Sequence, residues 1–592
     1  MGYFWECYES GSISNIVTNM FVPNTFWQQL SSNQFFKVNI NYNSLSFLSI
    51  YLLALIASCG ELQPLNAAEV SPPQKKANLL TQSPGDGTIA QDSNSNDVPE
   101  QIVVKSFDIV GSSVFSDREL DKAIESYRDR PLTLPELFQA RSIITKLYTD
   151  KGYVNSGAYI PPQELDNGTV KIAVLEGKLE GINVSGTERL TPKYISSRIE
   201  AAAGKPVNIE SLLAALQLLR LDPLINNVSA ELSAGIEPGT SLLDIQIEEA
   251  DVFSISTSFN NKKSPSVGSN QRSASFNHGN LLGIGDRFDF NFSNTEGSNS
   301  FDFGYSLPFN SKNGTIKAAY GTNSNDVVED PFTPIDLESQ SRYFELNLRQ
   351  PLVLKPNQEF AMGISFSRSE SETFLQNDGF FLSRGANEDG ETRISAVRLL
   401  QEYVNRDDKK VLAFRSQFSL GIDAFNATIN DGDVPDSTFF AWRGQGQWVR
   451  RLDEDFLFLL RGDVQVAGGS LVPLEQFRVG GVNSARGYRQ DLSLGDSGAF
   501  ASAELQIPVL RFKKIDGLVQ IAPFFDIGTL WNTDEVEIAN ATLPSLGLGL
   551  NFAMGTRFNA RLDWGIPLVD VETTRDSLQE NGVHFAVDYS FF

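Results

Sequence analysis

Histidine and cysteine are nearly absent from this chain of 592 residues, with two of each. His278 and His584 leave little material for imidazole catalysis or a His-rich metal site. Cys7 and Cys59 both precede residue 60, so everything after them is free of disulfides and thiol chemistry. Positive charge is short as well, 48 Lys and Arg against 73 Asp and Glu, for a formal net charge of −25. Phosphate binding needs clustered cations that displace counterions, which argues against a nucleic-acid partner and for a solvated acidic surface. No Gly-x-x-x-x-Gly-Lys loop occurs, so ATP is not expected to drive any step. Past the N-terminal region no run reaches the ~18 uninterrupted apolar residues of a spanning helix. If the chain crosses a membrane, it crosses with strands.

What is present changes character along the chain. Residues 1–68 read as an N-terminal extension and signal segment, in which Leu45 to Ala57 is an apolar run of signal length and Leu65-Asn66-Ala67-Ala68 offers small residues for cleavage. Only Lys37 supplies positive charge ahead of that run, and the expectation is that the natural start lies further in. Ile56-Ala57-Ser58-Cys59 also fits the small-residue box before a lipidated cysteine. Residues 69–101, rich in Pro, Gln, Ser, Asn and Asp with little to bury, read as a flexible linker.

Residues 102–177 and 178–249 read as two copies of one α+β unit. The first predicts a strand around Val103–Ile109, a helix from Asp117 and a second helix opening at the capping box Thr133-Leu134-Pro135-Glu136. That helix sets Leu137, Ile144, Leu147 and Tyr148 on one face and stops near Gly152. Strands follow around Ala158–Ile160 and Val170–Leu175. The second copy repeats the order: a strand at Ile182–Val184, helices Thr191–Gly204 and Asn208–Leu221, strands at Val228–Leu232 and Leu242–Ile247.

From residue 250 to 592 the period becomes two. Phe288, Phe290 and Phe292 alternate with Asp289, Asn291 and Ser293; Phe344, Leu346 and Leu348 alternate with Glu345, Asn347 and Arg349. Phe456, Phe458, Leu460, Val464 and Val466 face away from Leu457, Leu459, Arg461, Asp463 and Gln465. A soluble antiparallel sheet alternates too, but an export signal and this much chain favour a barrel that is greasy outside and wet inside. At ~10 residues per strand and a similar number per connection, roughly sixteen to eighteen strands fit.

Within this stretch Gly480-Gly481-Val482-Asn483-Ser484-Ala485-Arg486-Gly487-Tyr488 and Phe524-Phe525-Asp526-Ile527-Gly528 each hold one charge among glycines and aromatics. A lone charge in such surroundings needs a partner, and Arg486 and Asp526 are the obvious pair. Together the two segments resemble the two-partner-secretion transporters of the hemolysin-activator type. In that family a loop with Val-Arg-Gly-Tyr folds into an outer-membrane barrel and its Arg meets the Asp of a Phe-x-Asp strand. Ala485 departs from the usual Val.

The resemblance implies α+β periplasmic POTRA domains, with Tyr159-Ile160-Pro161-Pro162-Gln163 and Gly168 matching the first, followed by a transmembrane antiparallel β-barrel of about 16 strands. It implies no enzyme and no cofactor, a secreted exoprotein as client, contact with outer-membrane lipid, and the barrel-assembly machinery as partner during biogenesis. The location implied is the outer membrane of a Gram-negative-type bacterium, and the implied site is a lumen-loop lock of Arg486, Gly487, Tyr488, Phe524 and Asp526. An assembly insertase, which usually carries more than two soluble domains, and a passive porin, which needs none, are the alternatives. Family members carry a plug helix before the linker, and no clear amphipathic helix stands there in this chain.

Other motifs have structural readings. Asn280-Leu281-Leu282-Gly283-Ile284-Gly285-Asp286 matches the family's turn after the first barrel strand, while Tyr305–Phe309 and Trp564–Leu568 match its strand ends at proline. Gly495-Asp496-Ser497-Gly498 imitates a serine-protease nucleophile segment, but neither histidine carries a matching motif for a triad. It fits the Gly-Asp-x-Gly after the family's loop better. Arg461-Gly462-Asp463 lies within an alternating strand, and Asp431-Gly432-Asp433 with Asp436 reads as a solvated loop rather than a calcium site. Barrels of this kind end on an aromatic residue in phase with the apolar face, yet the set Val583, Phe585, Val587, Tyr589 and Phe591 leaves Phe592 one residue out. Phe591 and Phe592 acting together are the expected assembly signal.

Overall fold

The computed structural model describes residues 101–591, apart from 165–166, 331 and 573–575. The signal segment, Cys59, the linker up to residue 100 and Phe592 lie outside the described residues.

The first α/β unit opens with two strands, Ile102–Val104 and Ser106–Val110, where one was expected. The break falls at Lys105, whose N–H is taken by the Gly168 carbonyl at 2.8 Å. Ile102–Val104 pairs with a short strand missed in the sequence, Arg130–Leu132, and Ser106–Val110 runs parallel to Thr169–Leu175, whose other neighbour is Gly157–Tyr159. The helix Leu134–Asp150 is capped as its sequence predicts: Thr133 Oγ1 accepts the Glu136 N–H, and the Glu136 carboxylate accepts the Thr133 N–H at 2.8 Å. That backbone donor, with Arg130 and the Thr133 hydroxyl, holds the Glu136 carboxyl down at about 2. Leu137, Ala140, Ile144 and Tyr148 bury the inner face against Val170 and Ile172, with Leu147 packed at its edge.

In the second unit, helices Pro192–Ala203 and Ile209–Arg220 cover a sheet ordered Lys178–Ser185, Thr240–Glu249, Ile225–Ala234. Hydrogen bonds tie it to the first unit: Gly152 O accepts Ile209 N–H at 2.9 Å, and Gly177 O accepts Val207 N–H at 2.8 Å. Asn208 caps its own helix and donates to Lys151 O at 2.8 Å.

Sixteen strands, from Phe253–Asn260 to Val583–Ser590, close into an antiparallel barrel, with Asp378–Gly379 an added rung on one hairpin. Closure pairs Ala586 with Asn260 through to Ser590 with Ser256. The alternation resolves into two faces. Phe344, Leu346, Leu348, Leu460 and Val466 are exposed on the outer wall. Inside lie ion pairs such as Arg349 with Glu359 (2.6 Å) and Glu402 (2.7 Å), and Arg398 with Glu475 (2.7 Å). Backbone groups are satisfied strand to strand, and these interior charges by one another.

Connections at one end are tight turns, such as 356–357 and 454–455; at the other they are long, 376–390, 423–439, 468–496 and 568–582. The α/β units sit at the tight-turn end. Asn280–Asp286 follows the second barrel strand, Gln271–Gly279, and not the first as expected. Only Ala250–Val252 separate the last strand of the second unit from Phe253–Asn260, so in the sequence the first barrel strand blends into the preceding unit. The turn is also more than a turn: Gly283 O accepts Thr191 N–H at 2.8 Å, and a Cβ on Gly285 would lie 2.1 Å from the Tyr194 ring. Arg198, stacked on Tyr194, reaches the neighbouring turn through Asn313 at 2.9 Å.

Candidate functional site

The long connection 468–496 folds into the barrel instead of away from it. Its arms, Phe477–Val479 and Ser493–Gly495, pair as a short antiparallel ladder. Phe477, Val479, Ala485 and Tyr488 pack on Phe500, Leu530 and Leu543 of the wall, forming an apolar cluster inside the barrel, and Leu471 and Val472 join a second one with Ile394, Ala396, Phe439 and Ala441. Burial of these side chains holds the loop in place, at roughly 1.5–3 kcal/mol for each large one. Ala485 is fully enclosed there.

At the loop's tip Arg486 is 1% exposed and Asp526, in mid-strand of Gly517–Trp531, is 0% exposed. The pair is bidentate: Nε donates to Asp526 Oδ2 at 2.8 Å and Nη2 to Oδ1 at 3.0 Å, while the Arg486 backbone N–H reaches Oδ2 at 3.2 Å. Ser502 donates to Asp526 Oδ1 at 2.6 Å. The guanidinium lies over the Phe524 ring with Cζ 3.5 Å from its centroid, a cation–π contact in a desolvated setting.

The clasp is larger than the expected pair. Arg486 Nη1 donates to Glu504 Oε2 at 2.6 Å and stands 3.6 Å from Asp563 Oδ1. Arg561 joins those two carboxylates from the wall, at 2.8 Å to Glu504 and 2.7 Å to Asp563. Arg461, registered beside Ser502, adds a third cation facing three acids. Burying this much charge is tolerable because Arg486 and Arg561 are paired with Asp526, Glu504 and Asp563; removing one partner strands another, at a cost of about 3–5 kcal/mol.

Gly487 and Gly565 let two backbones meet. Gly487 has φ +103°, and a Cβ there would lie 3.0 Å from the Gly565 carbonyl carbon; a Cβ on Gly565 would lie 2.5 Å from Gly487 N. Tyr488 donates its hydroxyl to Pro544 O at 2.7 Å and accepts the Val569 N–H at 3.2 Å. All five expected lock residues, Arg486, Gly487, Tyr488, Phe524 and Asp526, are thus brought together.

Sequence reasoning missed Glu504, Arg561 and Asp563. Their signal was parity, since each occupies an inward position of its strand, but parity alone does not say which inward charges meet. It also missed a second tether nearer the long-loop end. Arg489 grips Glu329 with both terminal nitrogens at 2.8 Å and reaches Glu580 at 3.1 Å. Gln579, fully buried, accepts the Gln490 N–H at 2.8 Å and donates to Asn261 O and Lys263 O.

The Gly495–Gly498 segment has a structural task. Asp496 accepts from Leu471 N–H (2.9 Å), Gln476 (3.0 Å) and Thr533 N–H (3.0 Å), fastening the base of the loop, and Ser497 accepts from Ala467 N–H at 3.0 Å. Among the described residues no group of three or more His, Cys, Asp or Glu is placed to hold a metal ion. At the C-terminus Phe591 is exposed on the outer face, edge-on to Tyr589, its N–H bonded to Ile255 O of the first barrel strand at 2.9 Å.

Comparison with known proteins places this architecture. The family described as haemolysin secretion/activation protein ShlB/FhaC/HecB matches residues 239–552, and the ShlB-type POTRA domain matches 102–177. Outer membrane transporter CdiB of Dickeya dadantii is 23% identical, covering 75% of this chain and 78% of its own. Heme/hemopexin transporter protein HuxB of Haemophilus influenzae is 22% identical, covering 74% and 78%. The solved CdiB from Escherichia coli superposes with a TM-score of 0.66 at 19% identity, over 85% of this chain and 93% of that one. With its POTRA domain on the tight-turn, periplasmic end of a sixteen-stranded outer-membrane barrel, the chain belongs to the haemolysin secretion/activation family, the transporters of two-partner secretion.

Proposed function

We propose that this transporter passes an unfolded exoprotein from periplasm to cell surface through the barrel, with the loop 468–496 as its lock. The observation that carries the reading is the Arg486 network: a loop from the long-connection end is clamped by buried ion pairs to the inner wall, which supports its role as a releasable lock on the lumen. The unit 178–249, which repeats the strand, two helices and two strands of the first without its extra pair Ile102–Val104 and Arg130–Leu132, acts as a second POTRA domain. Its strand Ile225–Ala234 is the longest open sheet edge of the two units. Adding an extended client as a further strand there supplies affinity through main-chain hydrogen bonds without demanding one sequence. That unit contacts the turns 280–286 and 309–314, so a captured client is handed over beside the pore. No bond-making chemistry is required, and folding of the client outside makes passage directional. Phe591, together with Phe592, is read by the barrel-assembly machinery during insertion.

Secretion of the client is measured in Arg486→Ala and Asp526→Ala cells at matched surface levels of barrel. A large fall in secretion with barrel abundance kept supports the lock. Wild-type secretion from both ends the proposal.

A further inference from the structure

The outer wall is not uniformly covered with large side chains. Across the strands Lys410–Ile422, Phe440–Asp453, Phe456–Ala467, Ser497–Phe512 and Gly517–Trp531 runs an apolar groove of about 440 Å³. One register row crosses it as Phe414, Gly446, Gly462, Ala501 and Ile527, and the next row toward the periplasm widens at Trp448 and closes again at Phe525. The floor is made of Gly446, Gly462, Ala501 and Ala503, and the walls are aromatic or branched.

The two glycines are not explained by their own chain. Neither has positive φ, and a Cβ added to either would meet nothing closer than 3.8 Å. Glycine inside a strand weakens it, and where no bulge or tight bend accounts for it, it marks the close approach of something else. Here that something comes from the membrane side.

Directly below the groove, Lys410 and Arg450 form a registered pair. Each shares the outward parity of the row above, Leu412 and Trp448, and lies about 7 Å beneath it, two residues along the strand. Both stand at the tight-turn end, where the wall meets the periplasmic headgroups. Lys410 is 3.6 Å from Asp407; Arg450 is exposed and makes no ion pair among the described residues. Two cations side by side on a lipid-facing row repel each other unless an anion lies between them.

We propose that this groove with its cation pair is a binding site for one anionic glycerophospholipid of the periplasmic leaflet, with an acyl chain along the Gly446–Gly462–Ala501 floor and the phosphate held by Lys410 and Arg450. Charge complementarity selects the headgroup, and the spacing between cations and groove matches the step from phosphate to acyl chain. The site rests on the barrel being lipid-embedded, and not on the loop acting as a lock. It lies back to back with the clasp, because the inward row between the two outward ones is Gln447, Arg461, Ser502 and Asp526. The bound lipid therefore packs the outside of the wall whose inside anchors Arg486.

The test is native mass spectrometry on the full-length transporter, delipidated in detergent and titrated with phosphatidylglycerol. The wild type is expected to retain one lipid per chain. The rim double variant Lys410→Gln/Arg450→Gln is expected to lose retention by about tenfold or more, as removal of two charge-assisted contacts implies. The groove-filling variant Gly446→Leu/Gly462→Leu is expected to lose it altogether, and millimolar inorganic phosphate is expected not to compete. The rim variant leaves the wall intact, so it reads the site even where the filled groove disturbs insertion. No retained lipid in the wild type, retention unchanged in the rim variant, displacement by inorganic phosphate, or a second copy of the chain occupying the site in place of lipid would overturn the assignment.

Discussion

The two ends of this chain solve opposite burial problems with one alphabet. In the first α/β unit the interior is Ile144, Tyr148, Ile172 and their neighbours, and charge stays outside. In the barrel the apolar set is turned outward and the interior holds Arg486, Asp526, Glu504, Arg561 and Asp563. The first interior is held by loss of water from carbon and tolerates no cavity. The second is held by mutual pairing of charges and tolerates no orphan. Stability of the first kind is fixed once folded, whereas paired charges can be undone and remade with other partners, which suits the proposed lock.

That contrast is most sharply tested at the clasp. Arg486→Ala and Asp526→Ala should each lower secretion at least ~10-fold while barrel abundance holds, since each leaves uncompensated buried charge worth about 3–5 kcal/mol locally. Immunoblots of secreted client and surface-labelled barrel measure it. Next comes one truncation made in both regions. Ile172→Ala, in the buried core of the first unit, should cost about 2–5 kcal/mol through lost burial and a cavity, read as earlier protease cleavage of the periplasmic region. Leu548→Ala, exposed on the outer wall, leaves hydrocarbon to fill the gap and should barely change the heat-modified migration of the barrel. Equal sensitivity at both positions would erase the distinction.

Smaller is Gly487→Ala, which keeps every charge but pushes a methyl toward Gly565 from a backbone at φ +103°. A several-fold fall in secretion, less than that of Arg486→Ala, is expected, with Gly565→Ala behaving alike. Smallest is a pH effect confined to the soluble region. Glu136 is held at about 2, below its unfolded value near 4.5, so its contribution is present above pH 4.5 and fades as pH falls toward 2. Glu136→Gln should flatten that part of the acid-unfolding curve, followed by circular dichroism, with its small loss of stability fully expressed at pH 7 and vanishing toward pH 2.

Much of this was legible beforehand because the relevant forces are local. Thr133 and Glu136 announce a helix start three residues apart, and Asn208 another. Alternation at Phe344, Leu346 and Leu348 announces a two-faced strand. The Arg486–Asp526 pairing was visible because each charge stood alone in its own segment. Glu504 and Asp563 were not, because inward acids are common in this barrel and sequence gives no sign of which strands the loop tip will reach. The register of Asn280–Asp286 was misplaced by one strand for a related reason: where two regions of strand adjoin with three residues between them, periodicity carries no boundary.

By itself, then, the sequence determined the kind of each segment: helix caps, strand parity, the scarcity of histidine and cysteine, and two charges that had to find partners. Those follow from near neighbours, within a turn of helix or a few residues of strand. The tertiary structure decided what no neighbour can: which charged groups share one buried site, that a glycine turn supports a periplasmic domain, and that small outward residues on adjacent strands line up above two cations. Each depends on ring closure and on the register of strands far apart in the chain, and register is settled only when every backbone group in the cylinder has found its partner.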